Sequence, residues 1–188
     1  MAVERDVFEA ALRRWASGVT IVTAEWRGQR FGMTASAFSS VSIDPPLVLV
    51  CPDRRSKTLP FLRRSGAFTV NVLASDQEAL SSRFAAAGNE DMRFEGLVCS
   101  TGKTGTPRLP GALVALDCRT VSLHEAGDHV ICVGEVMDAN VSARGAPLVY
   151  YEGHYRTLEA GARANECSDA RAEAPQGPDR DQRSRRSG

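Results

Sequence analysis

The stretch that decides the fold is residues 30–59, RFGMTASAFSSVSIDPPLVLVCPDRRSKTL. It begins as a strand and passes through a run of small hydroxyl residues, Thr34, Ser36, Ser39, Ser40 and Ser42. Pro45-Pro46 then forbids regular helix or a central ladder position, because neither proline has an N–H to donate. Leu47 to Cys51 is a short continuous apolar run, which predicts a strand buried on both faces. The segment ends in Arg54-Arg55-Ser56-Lys57-Thr58, read as the start of a short helix with Ser56 as its N-cap. Free backbone N–H groups and the helix dipole favour an anion at such a place. A row of small donors leading into a basic helix start implies a pocket for a flat polar ligand with a phosphate tail.

Outward from this segment, the pattern is one of hairpins. On its N-terminal side, Val19 to Trp26 is β-branched and strand-like, and Arg27-Gly28-Gln29 turns it into a second strand at Arg30 to Thr34. Before that, Phe8, Ala11, Leu12 and Trp15 recur at helical spacing and predict a helix over Glu4 to Trp15 with one apolar face. On the C-terminal side, Ala67 to Leu73 is a strand, and Ser75 to Glu78 fits a capping box opening a helix that Gly88 closes. Residues 89–106 are Gly-rich and mixed, the segment with most lid-like character. Ala112 to Glu125 and His129 to Val141 form two long strands around Ala126-Gly127-Asp128, and Pro147 to Arg156 closes the fold. From about residue 160 the chain is charged and nearly free of large apolar residues, so it is expected to be a disordered tail. Residues 1–160 then form one domain and 161–188 the tail. About seven strands in hairpins, with two or three short helices, predict a mainly β (β-rich α+β) fold, closed as a barrel rather than doubly wound.

The 188 residues carry 23 basic and 23 acidic side chains, a formal net charge of zero, which gives no electrostatic case for nucleic acid or anionic membrane as a partner. No apolar run approaches the roughly 20 residues a membrane span needs. The charged N-terminus lacks a signal core, and the expected location is cytoplasmic. Cys51, Cys99, Cys118, Cys132 and Cys167 form no CxxC and no metal-type pairing with the three histidines, so they read as reduced thiols and no metal site is expected. Neither a GxGxxG after the first strand nor a GxxxxGK[ST] is present. No nucleophile has a partnered base.

What remains is the donor row and the basic loop, about 20 residues apart and bridged by one strand. Hydroxyls and amides of Thr34, Ser36, Ser39 and Ser40 suit the polar edge of an isoalloxazine, and such donors stabilise charge as the ring accepts hydride. Each part alone reads at least as well as an ordinary turn or cap; their conjunction is stronger than either, and the spacing suits one mononucleotide. His129 reads as a partly exposed turn histidine or as a contact for nicotinamide, and His124 and His154 as structural.

The ordered set SGVTIVTA, GMTASAFSSVSIDPPLVLVC, RSKT, FTVNVL, GDHVICVGEV and PLVYYEGHYRTL resembles the short-chain flavin reductase family, over roughly Phe8 to Leu158. The resemblance implies an FMN-binding split β-barrel, usually a homodimer with flavin near the subunit interface. It implies NAD(P)H-dependent reduction of FMN or FAD, with NADH or NADPH as hydride donor, and reduced flavin passed to a partner flavin-dependent monooxygenase. Carried over, Thr34, Ala35 and Ser36 would contact the ring, with Ser39 and Ser40 close by. Cys51 and Asp53 would line the pocket, and Ser56, Lys57 and Thr58 would hold the phosphate. Ser82, Arg83 and Phe84 match a helix end beside the flavin, Tyr155 a closing aromatic, and His129 the Gly-Asp-His motif linked to nicotinamide and the reaction step. The alternatives are a split barrel that keeps its FMN and acts on an organic substrate, and a non-catalytic flavin-binding module.

Overall fold

The structure, a computed structural model, describes residues 2–143 and 145–158. The expected tail at 161–188, with Cys167, lies outside the described residues. Among the described residues, α-helices α1 (Arg5–Arg13), α2 (Leu59–Ser65) and α3 (Glu78–Ala85) accompany twelve strands. Those strands are β1 (Ser17–Gly18), β2 (Thr20–Trp26), β3 (Gln29–Ala35), β4 (Phe38–Ser42), β5 (Leu47–Val50), β6 (Ala67–Val72), β7 (Ser100–Thr101), β8 (Pro107–Arg108), β9 (Val114–Ala126), β10 (His129–Val141), β11 (Leu148–Tyr151) and β12 (His154–Thr157). Seven of them form one antiparallel sheet in the order β3-β2-β6-β9-β10-β5-β4, and β1-β11-β12 and β7-β8 form two small sheets.

The sheet order explains the barrel. β3 and β4 are its opposite edges, yet only Ser36 and Ala37 separate them in the chain. Seven strands laid flat would put the edges about 29 Å apart, and a two-residue link reaches about 10 Å. The sheet must therefore roll until its edges meet. β3 and β4 are not hydrogen-bonded neighbours among the described residues, so the barrel is split along that seam. The fold is the β-rich split barrel that the hairpin pattern and the resemblance implied.

Alternation along β2 sorts the interior. Val22 and Ala24 face the barrel core with Val48, Val50, Leu62, Phe68, Val70, Cys118 and Cys132. Ile21 faces a second core with Val19, Leu73, Phe84, Leu109 and Leu148. β2 is thus buried on both faces. The expectation of a doubly buried strand at Leu47 to Cys51 is corrected: Val48 and Val50 are buried, while Leu47 and Leu49 are half-buried. β4 lies at the sheet edge and leaves Leu49 only half covered. At two positions a glycine lets rings reach the sheet. A Cβ on Gly134 would lie 2.5 Å from the Phe68 ring, and one on Gly32 2.7 Å from the Phe84 ring.

Two expected helix starts differ. α2 begins at Leu59, with Thr58 in the cap position, so Ser56 is not its N-cap; the Ser56 hydroxyl instead accepts from the Thr58 N–H at 3.2 Å. The capping box at Ser75 is not formed. Gln77 occupies the cap position, and its side-chain carbonyl accepts from the Ala74 N–H while its amide donates to the Pro110 carbonyl. A longer side chain with a donor and an acceptor serves two chain segments at once, which serine cannot.

The segment 89–106, read as lid-like, is tied to the barrel at several points. Arg93 is buried and donates to the Gly32 and Ala86 carbonyls, both at 2.6 Å. Further along, fully buried Asp117 accepts from the Lys103 N–H at 2.5 Å, the Thr69 hydroxyl at 3.1 Å and Arg108 at 3.0 and 2.5 Å. Asn71 accepts from the Leu109 N–H and donates to the Ile21 carbonyl and the Thr23 hydroxyl. These groups tie residues 100–109 to the outer face of β2, β6 and β9. Removing one member of a buried ion pair leaves the other uncompensated, which costs about 3–5 kcal/mol. Asp117→Ala is expected to lose stability on that scale in urea unfolding and to open 100–109 to limited proteolysis.

Candidate functional site

The split seam opens into a cleft of about 560 Å3. Ser36, Ala37, Phe38, Ser39 and Leu49 form its sheet-side wall, and Leu12, Trp15, Tyr150 and Gly153 lie opposite. Ser39 pairs with Leu49 across β4 and β5, and the Cys51 N–H donates to the Ala37 carbonyl at 3.2 Å, extending the ladder towards the 51–58 loop. The hydroxyls of Ser36, Ser39 and Ser40 stand on exposed residues, while Phe38 packs against the barrel core. The cleft thus has one hydroxyl-bearing strand edge between apolar walls.

α1 forms part of this cleft rather than part of the core. The apolar face expected from its spacing is present, yet none of its residues is buried, and Trp15 just beyond it is 75% exposed. The chain holds α1 at its end: the Glu152 N–H donates to the Arg13 carbonyl at 3.0 Å, and Arg14 pairs with the Glu152 carboxylate.

The predicted ring contacts separate. Ser36 and Ser39 line the cleft, and Ser40 follows on β4. Ala35 is buried in the barrel core. The Thr34 hydroxyl donates to the Ser81 carbonyl of α3 at 2.6 Å, so its proton is committed and its oxygen is left as an acceptor. Ser81, which sequence reasoning passed over in favour of Ser82, is buried, and its hydroxyl lies 2.9 Å from the Tyr155 hydroxyl. Helical phase marks it, because Ser81 sits three residues before buried Phe84 on one face. Ser82 is exposed. Arg83 donates to the Met92 and Glu95 carbonyls, which fixes the chain after α3. Phe84 is fully buried and meets Phe94 edge to face.

The 51–58 loop and His129 come together. Asp53 and His129 form an isolated bridge, the Arg54 N–H donates to the Asp128 carbonyl at 2.9 Å, and the Val130 N–H to the Pro52 carbonyl at 3.0 Å. Asp128 accepts from His129 Nδ1 at 2.7 Å, which orients the imidazole and, as the largest cause, lowers the Asp128 pKa. Asp53 accepts from the Arg55 side chain and N–H, and these bonds hold its pKa down at about 2. The Ser56 hydroxyl contacts Met33 Sδ at 3.1 Å, setting the loop against β3. Thr58 is buried. Lys57 pairs with Glu90 at 3.0 Å, and Arg54 with Glu125. Each cation of the basic loop is therefore matched to a carboxylate. A phosphate dianion makes strong charge-assisted bonds and can compete with these carboxylates for the cations.

The donor set fits a flavin. Hydroxyls along a pleated edge meet the ring's polar rim, apolar walls meet its faces, and exchangeable cations lie one strand away. A split barrel with such a seam is the frame of a flavin-binding oxidoreductase. The flavin reductase like domain family matches residues 12–159, and the chain belongs to that family. It is 43% identical over 154 residues to the reductase component of 4-hydroxyphenylacetate 3-monooxygenase of Thermus thermophilus, covering 82% of this chain and 97% of that protein. It is 47% identical over 152 residues to an NADH-dependent flavin reductase of Rhodococcus sp, covering 79% and 84%. The solved NADH:FAD oxidoreductase of Streptomyces globisporus C-1027, in complex with NAD and FAD fragments, superposes with a TM-score of 0.77 at 31% identity, covering 86% of this chain and 99% of that one.

The thiols near the site are chemically quiet. Burial pushes Cys118 up to about 12 and Cys132 up to about 11, and it raises Cys51 as well. The thiolate is the reactive form. A thiol whose pKa is raised on folding stabilises the fold below its ordinary value, and that contribution is lost as pH rises through the folded value. At neutral pH, Cys118 and Cys132 are expected to stay silent to a disulfide reagent until the protein unfolds. Stability is expected to fall as pH climbs above about 9.

Proposed function

We propose that this flavin reductase takes hydride from NADH or NADPH, delivers it to FMN or FAD in the seam cleft, and releases the reduced flavin to a separate monooxygenase. The observation that carries the reading is the open hydroxyl-lined seam, whose ladder leads through Cys51 into the 51–58 loop and on to His129. Bound flavin supplies the hydride-accepting centre, N5. The residues of this chain bind, orient and balance charge. Ser36 offers its hydroxyl to the ring's polar edge, and Ser39, whose proton goes to the Ser40 carbonyl at 3.0 Å, offers an acceptor oxygen. Thr34, its proton held by Ser81, accepts a hydrogen bond rather than donating one. Ser56, Lys57 and Thr58 form the phosphate end, with Ser56 and Lys57 making the contact and buried Thr58 supporting the loop. His129, held through Nδ1 by Asp128, presents Nε2 towards the nicotinamide. Ser82, Arg83, Phe84 and Tyr155 support this arrangement from α3 and β12. A cytoplasmic location suits a protein that shares its product with an oxygenase; among the described residues no helix is long and apolar enough to cross a membrane.

The working unit is a homodimer. A nine-residue helix is too short to persist in water on its own, and Val7, Phe8, Leu12 and Trp15 each expose more than half of their surface. A second copy seated on this face covers it and closes the outer side of the cleft.

Anaerobic titration with NADH and with NADPH, in the presence of FMN, FAD or riboflavin, tests the reading through bleaching of the flavin's visible band. Absence of bleaching with every flavin overturns it. Lys57→Ala is expected to weaken FMN about tenfold and to leave riboflavin, which has no phosphate, unchanged.

Charge on the helix face tests the dimer separately. Leu12→Glu with Trp15→Glu is expected to halve the mass seen by sedimentation and to weaken flavin binding at the same time.

A further inference from the structure

The 3-10 turn Glu90–Met92 and the 51–58 loop meet on β3. The Ser56 hydroxyl contacts Met33 Sδ at 3.1 Å, and Arg93, just past the turn, donates to the carbonyl of the neighbouring Gly32 at 2.6 Å. Two segments distant in the chain thus dock at adjacent residues of one strand. An ion pair joins them: Lys57 Nζ donates to Glu90 Oε2 at 3.0 Å.

The members of that pair are unequal. The Glu90 side chain is 14% exposed and that of Lys57 65%. The segment that carries Glu90 is fastened on both sides. Buried Arg93 spans from Gly32 to the Ala86 carbonyl beyond α3, and Arg83 reaches from α3 to the Met92 and Glu95 carbonyls. Lys57 first, then the N–H groups of Glu90 and Gly88, hold the Glu90 carboxyl down at about 2, against the burial that would raise it. Glu90 is therefore ionised throughout the neutral range. Its charge also works against the desolvation of the Arg93 guanidinium, whose Nε has no hydrogen-bond partner among the described residues. The carboxylate is anchored, and the lysine stands on a long, mostly solvated stem. When the pair opens, Lys57 is the member free to move. Asp53 differs, because it is carried by the same loop as its partner Arg55.

We propose that Glu90 sets how strongly this protein selects phosphorylated over unphosphorylated flavin, by holding Lys57 back from the phosphate. The inference rests on the flavin reductase reading and on its phosphate end. An incoming phosphate gains Lys57 only as the lysine leaves a carboxylate that stays where it is. The bond gained and the bond lost are both charge-assisted bonds of one ammonium. The phosphate then adds little to binding, and the ring and ribityl chain carry recognition. Glu90 touches no reacting atom; it is a positioning residue that acts through Lys57.

Equilibrium binding of oxidised FMN and of riboflavin, followed by flavin fluorescence without NADH or NADPH, tests this in wild type, Glu90→Gln and Glu90→Asp. Glu90→Gln keeps the shape and removes the charge. It is expected to lower the Kd for FMN about fivefold and to leave that for riboflavin unchanged. Glu90→Asp draws the carboxylate back by one methylene and is expected to shift FMN the same way by a smaller factor, so it remains decisive if the glutamine variant does not fold. A higher Kd for FMN in either variant overturns the proposal, because Glu90 then aims Lys57 at the phosphate. An equal shift for both flavins, or none, also overturns it, because Glu90 then only braces Arg93 and its turn. Lys57→Ala separates the two failures. An unchanged Kd for FMN in that variant overturns the phosphate end itself. FMN weakened by Lys57→Ala but not tightened by Glu90→Gln overturns only the role of Glu90.

Discussion

Closure of the seven-stranded sheet by a two-residue link is the constraint on which the rest of the structure depends. Ser36 and Ala37 join strands at opposite edges of the sheet, so the sheet can exist only when rolled. Rolling gives the barrel its interior, filled from β2, β5, β6, β9 and β10, and it brings two edge strands together without pairing them. An unpaired edge inside a protein is a liability that must be covered or used. Here it is the floor of a cleft. Small residues suit the link, since larger ones would fill the gap the fold has just opened.

The outer face of the same sheet is held by polar chemistry. Asp117, Asn71, Thr69 and Thr23 are all fully buried on β9, β6 and β2. Their partners come from 103–109, a segment whose sequence looks like a loop. A buried carboxylate is costly unless every lone pair is met. Asp117 is met by a backbone N–H, a hydroxyl and a two-pronged arginine. Such a set fixes one register of the segment, because a shift by a residue would leave a charge unpaired. The segment forms a strap on the barrel.

The hairpins and the ends of the long strands were legible because Gly, Pro and alternation are local signals. Arg27-Gly28, for example, turns β2 into β3 with both residues at positive φ, 53° and 78°, as a tight hairpin with native twist requires. What was not legible depended on partners distant in the chain. The Ser56 and Ser75 caps were displaced, the first by a hydroxyl-to-backbone turn and the second by Gln77 reaching to Pro110. β4 was hidden because Phe38 to Ser42 has three serines in five residues, and only pairing with β5 makes it a strand. In the site, the donor row was visible as composition, but the direction of the Thr34 hydrogen bond was set by Ser81, 47 residues away.

The charge pattern of the 51–58 loop bears on what kind of flavin protein this is. A site built to retain a phosphate keeps its cations unpaired and pre-aimed, so that binding meets no competitor. Here Arg55 is held by Asp53 and Lys57 by Glu90. The Lys57 side chain is 65% exposed and that of Arg55 is 88% exposed. A phosphate must exchange for a carboxylate already in place, and the carboxylate is available to replace it again. The carboxylates are more covered than their cations, Asp53 at 31% and Glu90 at 14% side-chain exposure, so a phosphate must compete with an anion that is already in place. That competition lowers affinity. That is the behaviour required of a protein whose product must leave, and it is the reverse of what a permanently held prosthetic group needs.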